Sequence, residues 1–387
     1  MINRPIRVAI VGTRGIPARY GGFETFAEEL ATRWSHIPGF ELTVVCPAGS
    51  NPETPERLGT VNLEYVPEVS LGPGTTIAYD VRSVFATMRT HDIVYMLGVG
   101  ASFACVFPRM FGKHVWINPD GLEWKRSKWG VLGRFYLRLM EWTASTFANL
   151  LIADAHALQL YLESTYGERV RTTCIPYGAT IPKVSQFRPE LLPGGLSPDS
   201  YNLLVARLEP ENQILEIIRG YLVSDMSRPL VIVGNLERQL AYARSLLQFA
   251  SSRIHFAGAV YDREVLIALR GLARYAFHGH TVGGTNPSLL EALACGNLII
   301  AHSNPFNREV GGDLMQYFTD SQEIPAALER FERMSLKERD RIRAFSRARI
   351  REHYSWEKVT RTYVALAHQT MAGSPQQFAV GSTGKVP

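Results

Sequence analysis

Along the chain, short runs of β-branched and other apolar residues alternate with longer stretches in which apolar positions recur every three or four residues. The short runs predict strands at residues 7–11, 41–45, 62–66, 93–97, 114–117, 150–153 and 171–175. Between most of them the longer stretches predict helices, among them 23–34, 77–90, 131–147 and 155–166. Strands that alternate with helices in this way build a parallel sheet wound on both faces. The pattern breaks after residue 178, where Pro, Gly and Ser crowd the chain as far as residue 199, and this stretch reads as a linker. A second alternating set follows, with strands expected at 201–205, 230–233, 254–257, 275–278 and 298–301 and a helical tail from 321 to 370. The reading is two similar α/β halves, 1–178 and 200–355, and a tail at 372–387 whose composition is that of a disordered segment. Ligands of such sheets bind beyond the carboxyl ends of the strands, and two facing sheets would make the cleft between them the default site.

Composition narrows the class. A chain of 387 residues exceeds one average core, which agrees with two domains. Hydrophobic residues at 46% and charged residues at 20% are ordinary for a soluble globular protein. No apolar run reaches the roughly 18 residues of a membrane span. The start, MINRPIRVAIVG, reads as the beginning of a strand and not as a signal peptide, so a cytoplasmic protein is expected. Cys46, Cys105, Cys174 and Cys295 are widely spaced without a CxxC, which predicts buried thiols and no metal site. A net charge of +5 permits an anionic ligand or a membrane surface without demanding either, and no nucleic-acid partner is expected.

The most informative chemistry lies in HGHTVGGTNPSLLEALACG, residues 278–296. It reads as a loop running into a helix. Gly283 and Gly284 would let backbone approach a ligand closely, and Asn286, Pro287 and Ser288 occupy the cap and first-turn positions. A helix start carries unpaired N–H groups and a positive dipole end, which attract phosphate. Glu291, about one turn in, could accept hydrogen bonds from sugar hydroxyls. Phosphate beside hydroxyls suggests a nucleotide sugar, although from this segment alone an ordinary capped helix reads the same way. His278 and His280 flank the loop and could be plain hydrogen-bonded loop histidines.

Three other segments add weaker signals. VGTRGIPARYGGFETFAEEL follows the first strand with Gly12, Gly15, Gly21 and Gly22, more than a plain turn requires. A dinucleotide site fits poorly there: the G-x-G-x-x-G spacing is missing, and the next strand ends at Cys46-Pro47 without the acid that would hold a ribose. INPDGLEWKRSKWG puts Asp120 and Glu123, the cations Lys125, Arg126 and Lys128, and Trp124 after a strand. There an acid can be a base or a charge stabiliser, or simply a turn residue. Downstream, Leu132, Phe135, Leu139 and Trp142 share one helical face, which reads as core; with Arg134 and Arg138 beside it, an anionic membrane is the alternative. VARLEPEN places Arg207 just after a strand, where a guanidinium can clamp phosphate. There is no D-x-D pair near a strand end to hold Mg²⁺ against a diphosphate, and no G-x-S-x-G elbow.

Taken together, VGTRGIPARYGGFETFAEEL, DGLEWKRSKWG, IPYGA, VARLEPEN, HGHTVGGTNPSLLEALACG and YSWEKVTRTY resemble the family 4 retaining glycosyltransferases of the GT-B fold. Within that family the chain looks most like the bacterial polysaccharide β-1,4-rhamnosyltransferase group. The resemblance implies two Rossmann-like domains facing across a cleft, with a helix at 356–371 crossing back to the first domain. The donor nucleotide sugar would sit on the second domain and the acceptor on the first. Carried over by position, Glu291 corresponds to the glutamate on the donor ribose and Arg207 to the phosphate-clamping arginine. Asn286, Pro287 and Ser288 correspond to the backbone loop at the diphosphate, and Gly21 and Gly22 to the glycine loop near the donor phosphates. Asn212, His280, Gly283, Gly284 and Thr285 complete the expected donor set; Arg14, Tyr20, Glu123 and Trp124 form the acceptor set.

Three positions depart from the wider family. Gly283 stands where the first glutamate of an E-x7-E pair would be, Asn212 replaces a lysine, and Asp120 replaces a histidine. An ionised aspartate cannot donate a hydrogen bond, but it can stabilise positive charge on an oxocarbenium-like transition state. The expected catalytic set is therefore Asp120, Arg207 and Glu291. The activity implied is transfer of rhamnose, or a similar sugar, from dTDP to a lipid-linked saccharide in bacterial cell-surface polysaccharide synthesis. It would proceed with retention, without metal or other cofactor, at the inner face of the cell membrane. The alternatives are a nucleotide-sugar epimerase of the same fold and a non-catalytic sugar-nucleotide-binding partner.

Overall fold

The structure is a computed structural model, and it describes residues 4–18, 21–49, 53–167, 170–236 and 240–373. Two compact units divide the chain. The first holds Met1–Trp124, Val131–Pro176 and Glu357–Pro387; the second holds Lys125–Gly130 and Tyr177–Trp356.

The strands of the first unit are β1 (Ile6–Val11), β2 (Phe40–Pro47), β3 (Arg57–Leu58), β4 (Val61–Val66), β5 (Ile93–Leu97), β6 (His114–Asn118), β7 (Leu150–Ala153) and β8 (Thr172–Cys174). They form one sheet in the order β3-β4-β2-β1-β5-β6-β7-β8, parallel except for the short β3–β4 pair. β1, β5 and β7 are buried almost throughout, as strands covered on both faces must be. The expected strands are all present; only the two-residue β3 carries too little pattern to read.

The second unit contains β9 (Asn202–Val205), β10 (Leu230–Val233), β11 (Ile254–Gly258), β12 (Ala276–His278), β13 (Ile299–His302) and β14 (Gln316–Phe318). Its sheet is wholly parallel, in the order β11-β10-β9-β12-β13-β14. β14, just three residues long, has no legible pattern in the sequence. On one face Leu204, Ile217, Ile232, Phe277, Leu328 and Phe331 join a large apolar core; on the other Tyr201, Leu203, Val231 and Leu269 form a smaller one.

The segment 179–199, expected as a linker, is folded onto the second unit. It contains the turns Val184–Gln186 and Pro189–Leu191, and Leu192 and Leu196 pack on the smaller core. A side chain on Gly271 would strike the Phe187 ring, so the apparent linker carries its own anchoring aromatic. Residues 125–130 also depart from the sequence division, because Arg126 and Ser127 bond to residues of the second unit. The expected helical tail is three helices, Ile324–Arg333, Leu336–His353 and Trp356–Met371. From Glu357 onward the last one belongs to the first unit, as the resemblance implies. Tyr363 lies among Phe26, Trp34, Tyr95 and Trp116, and its hydroxyl meets that of Tyr95 at 2.8 Å. Residues 374–387, most of the expected disordered tail, lie outside the described residues.

All four cysteines are buried and unpaired in disulfides, as their spacing suggests. Among the described residues no helix is long and apolar enough to cross a membrane. The face of Val131–Phe147 expected as core is not core: Leu132 is 85% exposed and Phe135 69%, and Leu139 and Trp142 are exposed too. The buried stripe of this helix is Leu137, Met140, Glu141 and Ala144 instead.

Candidate functional site

In each unit the strand order reverses beside the first strand, between β1 and β5 in one and between β9 and β12 in the other. The carboxyl ends of strands at such a reversal leave a crevice, the usual ligand position in sheets of this kind. Both regions hold the residues that the sequence singles out.

In the second unit the helix Pro287–Cys295 starts at this crevice. Asn286 caps it, its side-chain oxygen accepting from the Ser288 N–H at 2.9 Å, with Pro287 in the first turn. The Ser288 hydroxyl donates to the Val205 carbonyl at 3.0 Å, which ties the helix start to the end of β9. Gly283 has a φ of 129° with open space where a Cβ would lie, so the loop takes a backbone form that L-residues avoid. Thr285 is buried.

Glu291 sits in the second turn and pairs with Arg270 at 2.6 Å. Arg270 is almost wholly buried and also reaches Ser288 at 3.5 Å. The carboxylate is thus held in place by a charge-assisted bond while remaining 43% exposed. Arg270 lies on the helix Arg263–Leu272, and no sequence signal near Glu291 points to it.

Beyond β9, Arg207 is 45% exposed and lies 3.6 Å from Glu209. Asn212 is turned inward: it is buried, and its amide donates to the Arg207 carbonyl at 2.7 Å. A Cβ on Gly279 would strike the Asn212 carbonyl, so the two loops touch through backbone. Asn212 therefore shapes the Arg207 turn, whereas the sequence places it at the donor. Thr281 donates to the Glu211 carbonyl through both its N–H, at 3.0 Å, and its hydroxyl, at 2.9 Å.

His278 and His280 stack with ring centroids 4.4 Å apart. Burial, with His302 adding repulsion, pushes the His278 imidazole down to about 3. Burial, then His278, Arg207 and Arg126, hold His280 well below its usual value. Both rings are neutral near pH 7, and His278 Nε2 and His280 Nδ1 have no hydrogen-bond partner. The His280 carbonyl is fixed by the amides of Asn304, at 2.8 Å, and Asn307, at 3.0 Å.

The first unit is built differently. Glu24, on the helix Gly22–Trp34, is buried and accepts from the Arg14 N–H at 2.9 Å. Gly21 has a φ of 134°, and a Cβ there would strike the Glu24 carboxylate; Gly22 has open space around it. The Arg14 side chain reaches Thr76 at 3.2 Å and Glu68 at 3.7 Å. Tyr20 lies outside the described residues. Asp120 follows β6 with a φ of 57°, and its N–H donates to the side chain of the fully buried Asn118 at 2.9 Å. A left-handed aspartate held by a neighbouring side chain is a strained position of the kind found at functional sites. Glu123 and Trp124 are half-buried nearby in sequence, and the Arg138 guanidinium lies 4.9 Å over the Trp124 ring. Sequence reasoning misses Glu24 and Asn118 because each acts through a hydrogen bond set by the fold. The structure gathers Arg207, Asn212, His280 and the 283–291 loop and helix around one sheet end. Arg14, Gly21, Gly22 and Asp120 belong to the other unit.

Comparison with known proteins agrees with this architecture. Residues 6–180 match the family model of a domain of unknown function (DUF1972). No curated protein matches the sequence. Among solved structures the chain is similar to sucrose-phosphate synthase from Thermosynechococcus elongatus, with 17% identity, a TM-score of 0.77, and coverage of 96% of this chain and 100% of that one. It is similar to HepE from Anabaena in complex with UDP, with 17% identity, a TM-score of 0.73 and coverage of 96% and 100%. It is also similar to an α,α-trehalose-phosphate synthase from Burkholderia xenovorans in complex with glucose-6-phosphate, with 14% identity, a TM-score of 0.73 and coverage of 95% and 100%. The fold of the chain is therefore the GT-B fold of glycosyltransferases.

Proposed function

We propose that the protein is a glycosyltransferase that takes its sugar from a nucleoside diphosphate. The observation that carries this reading is the β9–β12 crevice, where Arg207, the capped helix start at Asn286–Ser288 and the pinned carboxylate of Glu291 lie at one sheet end. Arg207 and the helix N–H groups suit a leaving diphosphate, and Glu291 suits ribose hydroxyls. Solved relatives of the fold bind UDP and UDP-glucose, which favours the same ligand class here.

The donor is dTDP-rhamnose in this reading, and the acceptor a lipid-linked saccharide in bacterial cell-surface polysaccharide synthesis. Both rest on the sequence resemblance, the Gly-Gly-Thr-Asn-Pro-Ser run above all. The bond from the anomeric carbon to the diphosphate breaks, the acceptor oxygen bonds to that carbon on the same face, and the acceptor proton passes to the diphosphate. Electrostatic stabilisation of the leaving group by Arg207 and the helix start does the work a metal would otherwise do. Asp120 stabilises the positive charge that develops on the sugar. The exposed Leu132, Phe135 and Trp142, with Arg134 and Arg138 on the same helix, suit a peripheral contact with an anionic membrane that carries the acceptor.

A thermal-shift panel of dTDP-, UDP- and GDP-sugars tests the donor, since a ligand that binds the native state raises its melting temperature. Stabilisation by dTDP-rhamnose above the others is the expected result. Product analysis with a lipid-linked acceptor then separates transfer from the alternatives. Conversion of the donor without an acceptor would identify an epimerase, and binding without turnover a non-catalytic partner.

A further inference from the structure

The segment 125–130 belongs to the second unit although the chain on both sides of it belongs to the first. Two side chains anchor it beside the β9–β12 crevice. The Ser127 hydroxyl donates to Glu211 at 2.7 Å, and the Arg126 guanidinium lies 3.6 Å from Glu209. Glu209 is the same carboxylate that Arg207 approaches at 3.6 Å, through its other oxygen. Two guanidinium groups thus converge on one buried carboxylate at the end of β9.

We propose that Arg126 is a second cation of the diphosphate site, acting as a pair with Arg207, and that Glu209 fixes the spacing of the two guanidinium groups. This rests on the nucleotide-sugar reading of the crevice. Two observations support it. Asn212, the remaining polar group of the Arg207 turn that could face a diphosphate, is neutral and turned inward. His280, which leads into the Gly283–Ser288 loop, is held neutral in part by repulsion from both Arg207 and Arg126, so both cations act on one spot of the crevice. Glu209 and Glu211 are two acids beside the pair. The Glu211 carboxylate is engaged by Ser127 and its carbonyl by Thr281, whereas Glu209 is approached by both guanidinium groups and serves as the orienting anion. Arg126 is 12% exposed against 45% for Arg207, so it is the better pre-organised of the two.

The test is the ratio of affinities for a nucleoside diphosphate and its monophosphate, dTDP against dTMP and UDP against UMP, measured by titration calorimetry. Wild type is compared with Arg126→Met, Arg126→Lys, Ser127→Ala and Arg207→Ala. Arg126→Met is expected to lower diphosphate affinity by about tenfold or more and to lower monophosphate affinity far less. Arg126→Lys keeps the charge without the fork and falls between; it serves as the reading if the Met variant does not fold. Ser127→Ala, which loosens the same segment, leaves the ratio near wild type. A wild-type ratio in Arg126→Met overturns the proposal. So does an equal loss of both ligands, or a change in Ser127→Ala as large as in Arg126→Met, since either marks a structural role. Failure of the wild type to bind any nucleoside diphosphate would overturn the glycosyltransferase reading itself, an outcome distinct from all of these.

Discussion

β1 and β9 hold the same place in their sheets: each is the first strand of its unit, and each borders the strand where the order reverses. The residues beyond the two strands differ. After β1 come Gly12, whose Cβ would strike the Leu97 carbonyl, and a loop in which Glu24 is spent on the Arg14 N–H and Glu28 on the Ala18 N–H. There the carboxylates are spent on loop backbone. After β9 come Arg207, Glu209 and Glu211, opposite two stacked neutral histidines and a capped helix start. That crevice is lined by charge. The shared topology decides where a ligand goes, and the residues after the strands decide which ligand it is. In the proposed reading the anionic nucleotide takes the second unit and the saccharide acceptor the first.

The sharpest way to break this contrast is to remove one charge from each unit. Arg207→Ala should lower transfer by about 10²–10³-fold, the range for losing one donor to a developing anion, with nucleotide affinity falling as well. Asp120→Ala should lower turnover by about 10²-fold with donor affinity close to wild type. Steady-state kinetics beside calorimetry separates the two. Equal loss of nucleotide affinity in both variants would end the division of labour. Asp120→Asn is the control for backbone strain, because Asn tolerates the left-handed conformation at a φ of 57° and keeps the shape without the charge. If Asp120→Asn retains full turnover, the negative charge plays no part.

This contrast is only partly legible in the sequence. β5, β7 and β10 have the same limits in both readings, because a buried parallel strand is a continuous apolar run with turn residues on each side. The helix start at Asn286–Ser288 is legible because caps are local chemistry. Arg270 is not: its partner Glu291 lies 21 residues away, and only the packing of two helices joins them. Continuity along the chain assigns segment 125–130 to the first half, yet its anchors are Glu209 and Glu211, more than 80 positions on. The face of Val131–Phe147 misleads for a different reason. Periodicity shows that a helix has an apolar side, but the side that meets the sheet is settled by tertiary packing.

The glycines of the first crevice give a smaller effect with a clear internal control. Gly21→Ala forces a side chain into a left-handed backbone at φ 134° and against the Glu24 carboxylate. A loss of about 1–3 kcal/mol is expected, read from the denaturant midpoint. Gly22→Ala meets open space at the first position of a helix and should fall within about 0.5 kcal/mol of wild type, or gain slightly. Equal losses would show that the loop responds to any side chain and not to the close approach at Gly21.

The pH dependence of stability gives a further contrast, because the two units carry slopes of opposite sign. In the first unit Asp80 is buried on the helix Thr75–Thr87, and burial raises its carboxyl to about 7 despite the opposing charge of Arg14. The folded state therefore holds this proton between the ordinary value of 3.8 and about 7 while the unfolded chain releases it, so stability falls as pH rises through that window. In the second unit His278 is lowered from 6.5 to about 3. Between those values the unfolded chain binds the proton and the folded one does not, so stability falls as pH drops. Urea midpoints measured from pH 4 to 7 should show Asp80→Asn gaining on wild type as pH rises and His278→Gln gaining on wild type as pH falls. If both variants track wild type in parallel across the range, neither group is buried in the ionisation state assigned to it. If only the histidine slope appears, the acid of the first unit is reached by water, and the difference in slope rests on the second unit alone.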